Sequence, residues 1–505
     1  VTTARSPSKG PSTDIAYTVI TFAPVQGFIS NSRKLRDLYG GSLLLSYLAK
    51  AVLDDAQRRL GPDAVVSPAL VSTSRGTPNQ LVIRGDYRKG HGRDALLQAW
   101  THVLEGCRSW LEQALQGQLR FEWQSAWDQL RHHSWEYFHA QGGSIAAARA
   151  RLREIKQARD WQVINWTGES STLSGSGAVC RPLMGVVVDP RLLPPGQIDE
   201  ETRGFAAALQ QHPELGEAFI EPREQLALPE LVKRLVTYAP VARKALGGES
   251  IDDLLPQRYQ EIAASERVVW FMADGDRVGE HLAHLSGGDP AREAQALSSF
   301  SGAMRRWAQQ LYTEVPRLME QKATVIYAGG DDLLGALHDT QTEQLSSADL
   351  FSWLQTFHTT LWPAHQQQGL TVSMGLVWTE GQVPQREALA QLREAERHAK
   401  QAGRDRFALR VLFKSGRHLE WICPWRFLQR LQAAKPKESG FWRQLSGDLE
   451  QLQARAGLDG STARTLWQAY FGDRLALPTD VELGNQTLPV WMRAMARVIA
   501  TLPTS

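Results

Sequence analysis

Cysteine is scarce: Cys107, Cys180 and Cys423 are the only three in 505 residues. Three scattered thiols exclude a disulfide framework and a four-thiolate zinc site. With no secretory apolar segment either, they predict a reducing, cytoplasmic setting. Long apolar runs are missing too, so no segment is expected to cross a membrane. Neither sign of charge dominates; the formal net charge is +2, which alone does not announce a nucleic-acid binder. What remains is an ordinary globular composition, 42% hydrophobic and 22% charged. A chain of this length predicts roughly two to four domains. Tryptophan is abundant, 17 residues, mostly within helical patterns such as "SWLEQALQGQLRFEWQSAWDQL", where core packing is the simplest reading.

The pattern divides the chain into five regions. Residues 1–14, small, polar and proline-bearing, predict a mobile tail. Residues 15–165 open with a strand, "IAYTVITFAP", then a helix, "LLLSYLAKAVLDDAQRRL", then strands "AVVSPALVS" and "NQLVIRG", then helical patterns to Arg159. Residues 166–262 hold the loop "TGESSTLSGSGAV", a strand "LMGVVVD" and helices between 201 and 246. Residues 263–415 read as strand "RVVWFMAD", helix 289–320, hairpin "ATVIYAGGDDLLGALH", helix 348–368, strand "LTVSMGLVW", helix 384–402 and strand "RFALRVLF". Residues 416–505 read as helical. The fourth region follows the β-α-β-β-α-β order of a ferredoxin-like palm, and the second region looks like a weaker copy of it. The expected fold class is α+β, with two ferredoxin-like palms, an inter-palm domain and a helical C-terminal domain.

The hairpin carries the chemistry. Gly329-Gly330 between two strand-like runs predicts a type I′ turn, which needs positive φ at both central positions. Asp331 and Asp332 then start the returning strand. Adjacent carboxylates beside an apolar sheet repel and lose solvation unless a cation neutralises them. Magnesium does so with one or two carboxylates, keeping water and phosphate oxygens as its other ligands. "FMADGDRVGE" supplies a further carboxylate: Asp274 ends a strand expected beside the hairpin, where it meets Asp331 and Asp332. The loop Gly275, Asp276, Arg277 and Gly279 opens toward a helix whose N–H groups can cradle phosphates. "DGD" alone is also a strand-ending turn and "GGDD" alone also a hairpin tip; their joint placement is what is specific. Nucleotidyl transfer needs two metals and cationic groups on the phosphates. Lys400 and Arg404 are available for the latter, although "AERHAKQAGRDRF" also reads as a helix end with basic residues near its C-terminus.

"YAGGDDLLGAL", "ADGDRVGEHL" and "APVQGFISNSRKLRDLYGGSLLLSYLAK" resemble the large palm subunit of type III CRISPR RNA-guided effector complexes, closest to the Cmr (III-B-like) kind. "TPNQLVI", "LPELVKRL" and "AKQAGRDRFAL" fit the same pattern, so the similarity runs from about residue 15 to 415. The resemblance implies target-RNA-activated synthesis of cyclic oligoadenylates, with ATP as substrate and two Mg²⁺ or Mn²⁺ ions. Asp274, Asp331 and Asp332 fall on the metal-binding and catalytic positions. Gly329 and Gly330 belong to the same motif, and Lys400 and Arg404 match phosphate contacts of related GGDEF-type cyclases. Gly41 and Ser42 fall where a second nucleotide is expected on the first palm, though "YGGS" also reads as a glycine turn with a serine N-cap. Implied partners are the backbone and small subunits, the crRNA-tag-binding subunit, crRNA and target RNA, with no membrane.

Two departures from the family are visible. Many members begin with an HD nuclease domain, whereas here the first palm starts almost at once, so no HD nuclease is expected. Many also carry a four-cysteine zinc site between the palms, where this chain has serines and only Cys180, so no zinc is expected. The alternative to a cyclase is a catalytically silent scaffold binding crRNA, target RNA and partner subunits. A freestanding cyclic-dinucleotide cyclase fits less well: Asp332 replaces the usual glutamate, and the extra palm and helical tail have no role.

Overall fold

The computed structural model describes residues 17–503 except 75, 160–165, 167, 187–195, 217–218, 222, 248–254, 341–342, 381–382 and 435–439. The expected tail at 1–14 lies outside the described residues.

The first sheet is built on β1 (Tyr17–Ala23), a β-branched and aromatic run buried along nearly its whole length. α1 (Gln26–Ser30) and α2 (Leu35–Leu60) follow, then β2 (Val65–Ser67), β3 (Leu81–Arg84), α3 (Lys89–Ala114), α4 (Gln124–His133), β4 (Glu136–Gly142) and α5 (Ile145–Gln157). The strand order is β2-β3-β1-β4. β4 corrects the reading of 136–142 as part of a helical stretch. It pairs antiparallel with all of β1, from Tyr17↔Gly142 to Ala23↔Glu136. Phe138 and Ala140 enter the core while Tyr137, His139 and Gln141 between them stay half-exposed. That alternation is short and polar, and pairing with β1 rather than local preference makes it a strand.

Helices α6 (Gln197–Gln211), α7 (Leu228–Leu235), α8 (Ala239–Ala245) and α9 (Leu255–Ala264) come next. The strand expected at "LMGVVVD" is not formed at residues 183–186, which make a turn and a bend; its remainder is outside the described residues. α7 binds the first palm through a buried ion cluster. The Arg234 guanidinium reaches Asp37 at 2.7 and 2.9 Å and Glu224 at 2.7 and 2.9 Å, with no side-chain exposure on any of the three. Both carboxylates are held below their usual range: burial opposes ionisation, and Arg234 outweighs it.

The second sheet contains β5 (Arg267–Gly275), β6 (Ala323–Gly329), β7 (Asp332–His338), β8 (Val372–Glu380), β9 (Arg406–Leu412) and β10 (His418–Pro424). Between them lie α10 (Val278–Ser286), α11 (Pro290–Leu318), α12 (Ser347–Thr356) and α13 (Gln385–Gln401). Its order is β10-β9-β8-β5-β7-β6. The segment β8-β5-β7-β6 has the connectivity of β4-β1-β3-β2, so both sheets are split βαβ palms, as expected from element order. β10 corrects the reading of 416–505 as wholly helical: it pairs with β9 from His418↔Leu412 to Pro424↔Arg406 and widens the second sheet. The remainder is helical: α14 (Trp425–Ala433), α15 (Phe441–Ala456), α16 (Gly460–Phe471), α17 (Asp480–Leu483) and α18 (Leu488–Thr501).

β5 is covered on both sides. Val269, Phe271 and Ala273 join a core shared with α11, α12 and the C-terminal helices, whereas Val268 and Trp270 join one shared with α2, α7 and α13. A continuous apolar run is what such a doubly covered strand requires. The tryptophans behave as core: among the described residues nine, including Trp307, Trp353 and Trp491, are under 2% exposed.

Candidate active site

The carboxylates converge because two strands end together. β5 and β7 pair antiparallel up to Ala273↔Leu333, so the next step of the ladder sets Asp274 against Asp332. The hairpin turns one residue later than expected. Its closing pair is Gly329↔Asp332, and Gly330 and Asp331 are the central residues. Only Gly330 has positive φ, at 87°, which matches the φ signs of a type II′ turn rather than type I′. The two glycines therefore serve different needs. Gly330 supplies the backbone conformation. Gly329 supplies space, since a Cβ there would lie 1.9 Å from the Tyr327 hydroxyl.

Gly275 also supplies space: a Cβ on it would stand 3.0 Å from Asp331 Cβ and 3.1 Å from its Oδ2. Asp331 thus lies directly over the end of β5. It is half-buried, and its carboxyl is pushed up to about 6, first by burial and then by repulsion from Asp274. Asp332 is also raised, by desolvation, by a hydrogen bond with Asp274 and by both neighbouring carboxylates. Asp332 keeps exposed surface, so water tempers the first cause, while crowding by two like charges acts in the same direction.

Lys400, on α13, lies across this group. Its ammonium contacts Asp274 and sits 2.5 Å from Glu396 Oε1, one helical turn earlier. Burial acts to lower the lysine pKa, but these two carboxylates outweigh it and hold it above its usual value. α13 can come this close because position 375 of β8 is glycine; a Cβ there would lie 2.5 Å from the Glu396 backbone nitrogen. Glu396 escaped the sequence reading. Its i, i+4 spacing to Lys400 was the available signal.

Asp276 does not face the carboxylates. It is buried and accepts hydrogen bonds from Thr371 Oγ1 (2.9 Å), Ser373 Oγ (2.7 Å) and the Asp405 N–H (3.0 Å). It thereby ties the end of β5 to the turn carrying Arg404, itself at φ 64°. Arg277 caps α10 at φ 54°, is exposed, and stands 3.7 Å from Glu280. Gly279 is exposed, with open space around it.

Gly41 and Ser42 are not in a turn, which corrects that part of the sequence reading. Both lie inside α2, and Ser42 caps no helix. Gly40 admits α7: a Cβ on it would lie 1.8 Å from the Lys233 carbonyl oxygen, whereas one on Gly41 would lie 3.4 Å from Lys233 Cδ, an ordinary contact distance. Lys233, buried, donates to the Phe28 carbonyl at 2.8 Å and to the Asn31 carbonyl, and burial lowers its pKa to about 8. It holds the "QGFISNS" segment in place. In the inter-palm loop, Ser171 Oγ donates to Glu230 Oε1 at 3.1 Å, and Cys180 is buried with its thiol pKa raised by burial.

Among the described residues, no group of three or more His, Cys, Asp or Glu side chains is arranged to hold a metal ion. The oxygen-only donors Asp274, Asp331 and Asp332 nonetheless suit magnesium, which takes few protein carboxylates, and their crowded negative charge calls for a cation. A cavity of about 790 Å³ lies elsewhere, between α2 and α3, lined by Tyr47, Lys50, Asp54, Gln57, Arg58 and Gln98 among others. It contains none of these carboxylates. No helix among the described residues is long and apolar enough to cross a membrane.

Two family models match the chain: "Cas10/Cmr2, second palm domain" over residues 267–408, and "CRISPR-associated protein Cmr2, N-terminal" over residues 17–81. No curated protein matches by sequence. A Csm1–Csm4 cassette in complex with cA4 is similar at 15% identity, over 96% of this chain and 69% of that one, with a TM-score of 0.51. The type III-B Cmr-beta complex in its apo state is similar at 12% identity, over 96% of this chain and 81% of that one, with a TM-score of 0.56. Cmr-beta bound to cognate target RNA gives 12% identity, 96% and 83% coverage and a TM-score of 0.56. At these identities the structural likeness establishes the fold, and the family matches fall on the two sheets that carry it. Together the two family matches and the shared fold support a Cas10/Cmr2 large subunit of a type III CRISPR effector complex.

Proposed function

We propose that this large subunit, in the cytoplasm and within a complex holding crRNA, makes cyclic oligoadenylate from ATP when target RNA binds. The observation that carries the reading is the meeting of Asp274, Asp331 and Asp332 at one strand end beneath Lys400. Similar folds described with cA4 and with cognate target RNA support it.

Asp274, Asp331 and Asp332 are the residues that would hold two Mg²⁺ or Mn²⁺ ions. When bound, such ions supply charge neutralisation and activation of a 3′-hydroxyl. Lys400, displaced from Asp274, offers its ammonium to the triphosphate, and Glu396 keeps it within reach. Arg404 offers a second cation, on a turn fixed by Asp276. No zinc is required by this chemistry. A silent scaffold is the second reading, favoured by the Lys400–Asp274 contact and by the lack, among the described residues, of a three-ligand metal cage.

The test is incubation of the assembled complex with ATP, Mg²⁺ or Mn²⁺ and matching target RNA, followed by mass spectrometry, with GTP in parallel. The cyclase reading expects oligoadenylate from ATP, lost by about 10²-fold or more in Asp331→Ala/Asp332→Ala and in Asp274→Ala, with assembly and target-RNA binding intact. No product from the wild-type complex, or variants equal to it, leaves the scaffold. Cyclic dinucleotide from GTP would point to a different cyclase.

A further inference from the structure

The helix ahead of the GGDD hairpin grips both palms along one face. Ser301, Arg305 and Tyr312 of α11 are spaced four and then seven residues apart, which puts them within about 40° of one another around a helix. Ser301 Oγ accepts from the Ala69 N–H at 2.8 Å. Arg305 donates to the Gly76 carbonyl and, at 3.2 Å, to the Leu70 carbonyl. Two turns later the Tyr312 hydroxyl accepts from the Ala328 N–H at 3.1 Å, immediately before Gly329.

Ala69, Leu70 and Gly76 belong to the connection between β2 and β3, the first palm's counterpart of the GGDD hairpin. The two tips touch. A Cβ on Gly76 (φ 69°) would lie 2.4 Å from the Tyr327 ring, and one on Gly330 would lie 3.9 Å from Pro78 Cγ. Arg305 is 1% exposed, and its Nε has no hydrogen-bond partner. Among the described residues it forms no ion pair with a carboxylate; its charge rests on two carbonyls. Burying a guanidinium this way costs stability that an apolar side chain would not, so packing alone does not account for it.

We propose that Arg305 is a positioning residue that locks the first palm's β2–β3 loop to the GGDD hairpin and so sets the gap across which two nucleotides meet. The catalytic half of this rests on the cyclase reading; the mechanical half does not. A reacting group misplaced by about 1 Å loses on the order of 10²-fold in rate, so a lock next to the hairpin tip acts on kcat.

The test uses the assembled complex carrying Arg305→Met, Arg305→Lys or Gly76→Ala. Oligoadenylate kcat is expected to fall about tenfold or more in Arg305→Met, with KM for ATP and target-RNA affinity little changed, because each palm keeps its own ligand contacts. Arg305→Lys should recover part of the loss. Hydrogen exchange should show peptides covering 68–80 and 328–333 losing protection together in Arg305→Met and in Gly76→Ala. Unchanged hairpin exchange when the loop is freed, or unchanged kcat when both are freed, overturns the proposal. If the wild-type complex makes no oligonucleotide, the cyclase reading fails and the exchange result alone decides the lock. If Arg305→Met does not assemble, Gly76→Ala, which keeps the buried charge, decides it.

Discussion

Replacing Asp331 and Asp332 together by asparagine should stabilise the metal-free second palm at neutral pH and remove its response to magnesium. Asp331 is raised from 3.8 to about 6, burial being the larger cause and Asp274 the next, against the pull of its own backbone N–H and of Lys400. A gap of about 2 pH units corresponds to about 3 kcal/mol. Partial exposure reduces this to about 1–2 kcal/mol. Below pH 3.8 the carboxyl is protonated in both folded and unfolded chains, and no penalty exists. As pH rises toward 6 the unfolded chain ionises first, and stability is lost. Above 6 the whole penalty is present. Wild type should therefore gain stability when pH falls from 7.5 to 5.5 without metal, and the asparagine variant should lack that part of the gain. For a palm of this size, 1 kcal/mol shifts Tm by about 2–4 °C. Scanning fluorimetry at both pH values, in chelator and in Mg²⁺, reads the effect. A variant that melts no higher than wild type at pH 7.5 in chelator, or a Mg²⁺ shift equal in both proteins, would refute the electrostatic reasoning.

Gly329→Ala should destabilise the hairpin by about 1–3 kcal/mol through its clash with the Tyr327 hydroxyl, seen as faster exchange of β6 and β7 amides; wild-type exchange would disprove it. Arg234→Met leaves buried Asp37 with backbone N–H donors and Glu224 with Lys34, at 3.9 Å, and should cost about 3–5 kcal/mol. Adding Asp37→Asn and Glu224→Gln should return part of that in urea titrations, and no recovery would show that the cluster acts otherwise. Metal analysis should find zinc well below stoichiometric, since Cys107, Cys180 and Cys423 are each buried and unpaired; one tightly held zinc per chain would contradict this.

The sequence by itself carried the features that local chemistry writes into short runs. The apolar stretch ending at Asp274 reads as a strand, and a Gly-Gly-Asp-Asp run between β-branched segments reads as a tight hairpin turn bearing charge. The alternation of elements at 263–415 led to a palm, and the sheet order agrees. What depends on distant neighbours was not legible. β4 and β10 are strands because β1 and β9 offer them ladders, and neither "EYFHAQG" nor "HLEWICP" says so alone. Gly40 and Gly41 read as a turn because glycine most often marks one; the reason for Gly40 inside α2 is the backbone of α7, almost 200 residues away in the chain. Asp276 reads as part of a phosphate-cradling loop, yet just past the end of β5 it is claimed by the hydroxyls of Thr371 and Ser373 and by the Asp405 N–H. The hairpin closes at Gly329↔Asp332 with positive φ at Gly330 alone, and Gly329 is needed instead for the space that the Tyr327 hydroxyl takes beside it. Local sequence names the groups that can do chemistry; close approach between remote segments decides which of them face one another.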